Sequence, residues 1–213
     1  MSLASQNSSL WAVIPVKDFV SAKPRLSGVL SPSERRTLSQ AMVEDMLCCL
    51  QSVSQLRGVL LVSDDPAAEL LAYRYGAELI AEAREQRGLN AAAQRAAEWL
   101  RESGASHMLL LHGDLPCLRQ EHVLQLAAGL DRTPRPLVRL VPDRRGEGTN
   151  GLLCTLPSPI RFHYGEYSLS AHREACRRRQ VTVEQMEISG KGLDVDTPDD
   201  LQMLLAQGGA GDR

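Results

Sequence analysis

The sequence is short of the residues that would mark it as a disulfide-built, zinc-binding or membrane protein. Its five cysteines (48, 49, 117, 154 and 176) are odd in number, contain no C-x-x-C pair and do not combine with histidine at a zinc-like spacing. Reduced thiols in a cytoplasmic protein are the expectation. Histidines 107, 112, 122, 163 and 172 show no ligand spacing of their own, so zinc is not expected. No apolar run approaches the length of a membrane span. The start, Met1 to Asn7, has no basic region ahead of an apolar stretch, so no secretory leader is expected. Neither G-x-x-x-x-G-K-[ST] nor G-x-G-x-x-G occurs, which argues against a P-loop and a dinucleotide-binding first turn. A formal net charge of -2 argues against general nucleic-acid binding; an anion site would have to gather its positive charge locally. There is no internal repeat and no low-complexity segment.

What remains is an ordinary globular composition, 43% hydrophobic and 23% charged over 213 residues, enough for one well-cored domain. The expected organisation is a flexible N-terminus over 1–9, a single domain over 10–207 and a flexible tail over 208–213. Short apolar runs at 11–16, 59–62, 78–80 and 108–111 read as strands, the first buried, the third short and the last strongly apolar and central. Between them lie helical patterns. Ser31-Pro32-Ser33-Glu34 is a capping box with proline at the first helical position, and opens a helix to about Leu50 with Leu38, Met42, Met46 and Cys49 inward. Further helices are expected up to Tyr75, where Gly76 stops the chain, over 91–102 and near 120–130. Apolar strands alternating with helices imply an α/β fold, a mostly parallel sheet covered on both faces. Segments 138–141, 151–156 and 181–188 read as mixed or antiparallel additions to it. Ligands on such sheets bind at the carboxyl ends of the strands.

Carboxylates gather where that rule points. Asp114 follows the most apolar strand in Gly113-Asp114-Leu115-Pro116. Asp194 and Asp196 are two apart, so on extended backbone they face the same way. Thr197-Pro198-Asp199-Asp200 then reads as a capped helix start that holds them. Three such acids suit magnesium, which takes a few carboxylates and completes its octahedron with water and phosphate oxygens. Each acid taken alone reads equally well as a solvated turn residue. Lys17, Lys23 and Arg25 put three cations on the loop after the first strand, a cradle for a triphosphate or a plain solvated loop. The run from Pro142 to Gly151, with Arg144, Arg145 and Thr149, offers a second anion loop. Ser168 is the expected N-cap of a helix to Arg179, whose first N–H groups could receive a phosphate or carboxylate.

Taken in order, these motifs resemble a known family. Ile14-Pro15-Val16-Lys17, Ala22-Lys23-Pro24-Arg25-Leu26, Leu30 to Arg35, Gly88-Leu89-Asn90, Gly113 to Pro116, Pro142-Asp143-Arg144, Gly148-Thr149-Asn150 and Leu193 to Pro198 are similar to those of the 2-phospho-L-lactate guanylyltransferases of coenzyme F-420 biosynthesis. The resemblance runs from about residue 11 to 205. It departs where the family reads closer to F-G-x-x-S-F, since Tyr164 and Leu169 stand in the aromatic places. The resemblance implies the nucleotide-diphospho-sugar transferase (glycosyltransferase-A-like) fold, three layers with a mixed sheet. It implies GTP and Mg2+, with phosphoenolpyruvate, 3-phospho-D-glycerate or 2-phospho-L-lactate as the acid, no nucleic acid and no membrane, and leaves room for a homodimer. Asp114, Asp194 and Asp196 would hold the metal, and Thr149, Gly165 and Ser168 the acid. Lys17, Lys23 and Arg25 would lie near the triphosphate, with Gly88 and Asn90 at the nucleotide. Two alternatives stay open: a nucleotidyltransferase for a sugar phosphate or a molybdopterin, and a non-catalytic nucleotide-binding regulator.

Overall fold

A computed structural model describes residues 9–82, 87–132, 136–187 and 194–208. The expected flexible ends fall outside these residues, apart from residue 9 and residue 208. The chain runs β1 (Leu10–Pro15), α1 (Pro32–Gln51), β2 (Leu56–Val62), α2 (Pro66–Tyr75), β3 (Glu78–Ile80), α3 (Leu89–Glu102) and β4 (His107–Leu111). It continues through α4 (Gln120–Ala127), β5 (Leu137–Pro142), β6 (Thr149–Thr155), α5 (Ser168–Arg178), β7 (Thr182–Gln185) and α6 (Pro198–Gly208). The seven strands form one sheet in the order β3-β2-β1-β4-β6-β5-β7. β6 is its reversed strand, antiparallel to both β4 and β5, while the remaining pairs are parallel.

Local chemistry explains the element ends. The Ser31 hydroxyl accepts from the Glu34 N–H at 3.3 Å and the Glu34 carboxylate accepts from the Ser31 N–H at 2.8 Å, the expected capping box. The buried stripe of α1 is Ser39, Met42, Val43, Met46, Leu47 and Leu50. Leu38 and Cys49 sit half-buried at its margins rather than on it. The Asp65 carboxylate caps α2 by accepting from the Ala67 N–H, and Gly76 ends that helix in the left-handed region.

Two apolar layers fill the space on either face of the sheet. One joins it to α1, α2 and α4 through side chains such as Met46, Leu71 and Val123. The other joins it to α3 and α5. There α3 presents Ala92, Ala93, Ala96 and Ala97, and α5 presents Leu169 and Cys176. Small side chains let α3 lie close to the strands, while each buried leucine, such as Leu100, contributes about 2 kcal/mol. The register pairs Leu111 of β4 with Gly151 of β6, so the carboxyl end of β4 and the start of β6 lie together. That edge brings Asp114, Thr149 and Asn150 into one region although 35 residues of chain separate the first two.

Candidate functional site

The first half of the site is charged. Lys23 reaches across the sheet edge, its ammonium 2.5 Å from Asp114 Oδ2 and 2.8 Å from Asp196 Oδ1. Its side chain is only 9% exposed. Burial works against its charge, but Asp114 and then Asp196 outweigh that, so its pKa is raised. Burial likewise opposes ionisation of Asp114, yet Lys23 and then His112 hold its carboxyl below the usual range. Among the described residues no cation pairs with Asp194. Burial, and then the charge of Asp114, raise its pKa. Its Oδ1 accepts from Asn150 Nδ2 at 3.4 Å, and the neighbouring Val195 N–H is 3.4 Å from the Asp114 carbonyl. All three predicted metal acids therefore stand at one edge. Among the described residues no three carboxylate, histidine or cysteine side chains converge as a ready ligand set, and Lys23 occupies the space between Asp114 and Asp196.

The loop carrying Lys23 is held from outside the site. Asp65, besides capping α2, accepts from the Phe19 N–H at 2.8 Å, and Arg35 of α1 donates to the Ala22 carbonyl at 2.8 Å. Phe19 and Leu26 are buried anchors at either end. Lys23 itself takes left-handed backbone, φ 53°, before Pro24, a conformation that costs a non-glycine residue about 1 kcal/mol. Lys17 and Arg25 are exposed and make no hydrogen bond or ion pair with the described residues, which turns both charges to solvent. Gly113 admits the carboxyl end of β4 to this corner, because a Cβ there would stand 3.2 Å from Val43 and 3.4 Å from Ile14.

The second half is neutral. The Thr149 hydroxyl lies 3.1 Å from His172 Nδ1, and His172 Nε2 accepts from the His163 N–H at 2.9 Å. Burial, then the nearby His163 and His112, bring the His172 pKa down to about 4. Tyr164 packs edge-on against His172 with ring centroids 4.9 Å apart, and His112 lies 5.5 Å away on its other contact. The Tyr164 hydroxyl, His112 Nε2 and Asp114 Oδ1 are all buried polar atoms with no hydrogen-bond partner among the described residues. Such atoms in a folded chain point to a bound group.

Several predicted residues play parts other than those read from sequence. Tyr167, in the left-handed region at φ 54°, precedes α5, so Ser168 is its first residue and not its cap. Gly165 takes φ 138°, backbone open to glycine, and Ser168 is buried beside it in the chain. In the 143–148 turn the Glu147 N–H donates to Asp143 Oδ1 and the Gly146 N–H to the Asp143 carbonyl, so the loop satisfies these groups itself. Arg144 pairs with the Asp200 carboxylate at 3.3 Å. Asn90 takes the Tyr164 N–H on its amide oxygen at 2.7 Å and gives an amide hydrogen to the Tyr164 carbonyl at 2.9 Å. It ties α3 to the Tyr164 loop. Gly88 opens α3 at φ 106°.

His112, Asn150, Tyr164 and His172 were not among the residues singled out for the site. His112 had a signal, since it directly follows the central strand. His172 had a weaker one, four residues after Ser168 and so on the same face of the helix.

The fold matches a protein of Desulfovibrio desulfuricans G20 assigned as a nucleotide-diphospho-sugar transferase, with a TM-score of 0.76 and 19% identity over 96% of this chain and 90% of that one. In sequence the chain is 40% identical to a phosphoenolpyruvate guanylyltransferase of Conexibacter woesei over 92% of this chain and 87% of the relative. It is 32% identical to a 3-phospho-D-glycerate guanylyltransferase of Colwellia psychrerythraea over 90% and 89%. Residues 10–212 match the family described as "Guanylyl transferase CofC like". With the mixed sheet and the Lys23–Asp114–Asp196 edge already in place, these matches establish that the chain belongs to the CofC-like guanylyltransferase family.

Proposed function

We propose that the protein joins the phosphate of a three-carbon acid to the GMP moiety of GTP and releases pyrophosphate, a step toward coenzyme F-420 in the cytoplasm. Phosphoenolpyruvate is the preferred acid, because the 40% identical relative bears that name and the 3-phospho-D-glycerate relative is 32% identical. The observation that carries the reading is the buried Lys23 between Asp114 and Asp196, at the same edge as Asp194 and on the loop that also carries the exposed Lys17 and Arg25.

The reaction needs no protein nucleophile. At neutral pH the acid's phosphate is mostly a dianion, its second pKa being about 6. One of its oxygens attacks the α-phosphorus of GTP, a new P–O bond forms, and the bond from that phosphorus to the α,β-bridging oxygen breaks with its electron pair. The obstacle is the approach of one anion to another. Lys17 and Arg25 would draw the triphosphate to the edge, Arg25 with two parallel donors and Lys17 as a point charge. Lys23, placed at the edge by its contacts with two carboxylates, would shift toward the phosphates and neutralise charge developing there. The buried, unpartnered Asp114 Oδ1 fits a hard cation, so Asp114, Asp194 and Asp196 would hold Mg2+. Bound there, magnesium would supply Lewis-acid charge neutralisation and a template for the phosphates. Thr149, Gly165 and Ser168 would receive the acid, and the backbone at Gly88 would border the nucleotide. Asn90 shapes that border through Tyr164.

Pyrophosphate release with each of the three acids, against GTP, ATP and CTP and with or without magnesium, tests the reading. The expected result is magnesium-dependent release with GTP and phosphoenolpyruvate. No release with any acid would reject it.

A further inference from the structure

The neutral half of the site contains a device whose consequence follows from hydrogen-bond chemistry alone. The His163 main-chain N–H can only donate, and it points at His172 Nε2 from 2.9 Å. That nitrogen must therefore carry a lone pair. An imidazolium would set two N–H groups against each other, so the ring is neutral and its single proton resides on Nδ1. Nδ1 lies 3.1 Å from the Thr149 hydroxyl, which makes Thr149 Oγ1 the acceptor of that contact. A hydroxyl that accepts from one partner still has its own hydrogen to give. The Thr149 side chain is buried and has no other hydrogen-bond partner among the described residues. His172 is wholly buried, braced edge-on by the Tyr164 ring, so neither ring flip nor solvent competes.

From this geometry we infer that His172 is a positioning residue, whose Nδ1–H fixes Thr149 as a hydrogen-bond donor aimed at the acid substrate. The inference rests on the reading of Thr149 as an acid ligand. A threonine free to rotate would accept as readily as donate. One locked as a donor suits an anionic oxygen and disfavours a ligand that presents an N–H or O–H at that point. The depressed basicity of His172 keeps the arrangement in place through the physiological range, with His163, His112 and Tyr164 the titratable groups around it.

Two measurements test it. The first is nitrogen NMR of the ligand-free protein labelled at histidine. His172 should show Nδ1 protonated and Nε2 bare from pH 6 to 8; an Nε2–H tautomer or an imidazolium there would overturn the proposal. The second compares two substitutions. His172→Asn keeps a donor near the Nδ1 position, whereas His172→Gln keeps an acceptor near the Nε2 position for the His163 N–H. His172→Gln should raise KM for the acid about tenfold, the worth of one hydrogen bond to a charged group, with KM for GTP changed by less than about twofold. His172→Asn should recover most of that loss. Adding Thr149→Val to His172→Gln should cost less than about a further twofold, because the two act through one contact. The reverse order, Asn worse than Gln, would make His172 a mere support for the His163 backbone. Should His172→Gln fail to fold, the tautomer of the wild-type protein decides the matter. Wild-type protein that turns over none of the acids would refute the functional reading instead, leaving the tautomer to NMR.

Discussion

The two halves of the site, set on either side of the junction between β4 and β6, solve opposite problems. On the β1–β4 side, charge faces charge: Lys23 lies between Asp114 and Asp196, and no cation among the described residues pairs with Asp194. On the β6–α5 side the polar groups are neutral and each direction of donation is set: the His163 N–H to His172, His172 to Thr149, the Tyr164 N–H to the Asn90 amide oxygen and the Asn90 amide N–H to the Tyr164 carbonyl. The charged half is built to change partners when anions and cations arrive. The neutral half is built to stay still. A site that must hold a small acid against a nucleotide needs both, because neutralisation lowers the barrier only if the reacting oxygen is already in line.

The comparison can be broken at several places. Asp114→Asn should reduce turnover by about a thousandfold with the fold intact by circular dichroism, since it removes the proposed metal ligand and the main partner of Lys23. Lys23→Met should cost about a hundredfold in kcat, and should raise the Asp114 pKa, because burial then acts without its main opponent, measurable by NMR titration. Asn90→Ala belongs to the other half. It should remove about 2 kcal/mol of stability, read from urea unfolding, because it leaves the N–H and carbonyl of Tyr164 unpaired.

The subtlest prediction separates two aspartates of the same edge. Asp114 has a lowered folded-state pKa, so it contributes stability above its unfolded pKa that is lost as pH falls through the folded value. Asp194 has a raised one, so its ionised form opposes folding at neutral pH. In EDTA at pH 7, Asp194→Asn should therefore raise Tm slightly and Asp114→Asn should lower it. Equal shifts of the same sign would show that Lys23 does not distinguish the two acids.

Much of this was legible in the sequence, for physical reasons. The capping box at Ser31, Gly76 after α2 and the apolar run of β4 are local signals, and each element stands where its signal placed it. Asp200 and Thr197 also cap α6 as read: the Thr197 N–H donates to Asp200 Oδ2 at 2.8 Å, and the Asp200 N–H to Thr197 Oγ1 at 3.3 Å. Other facts depended on contacts far apart in the chain. Nothing near Arg144 foretells its pairing with Asp200, 56 positions on, and nothing near Asn90 foretells Tyr164. Tyr167, not Ser168, takes the cap, a bulky residue in left-handed backbone against its own propensity, two residues after Gly165 at φ 138°. Such departures gather at the site, as strained residues do in working proteins. The lone histidines lacked any ligand spacing, and it took the folded neighbourhood of His163 and Thr149 to give His172 a role.

The central claim is that the Lys23–Asp114–Asp196 edge carries guanylyl transfer. The most direct test is pyrophosphate release from GTP and phosphoenolpyruvate with magnesium, measured side by side for the wild-type protein and Asp114→Asn. The account predicts steady release by the wild type and about a thousandfold less by the variant. Undiminished release by a folded Asp114→Asn protein would contradict it.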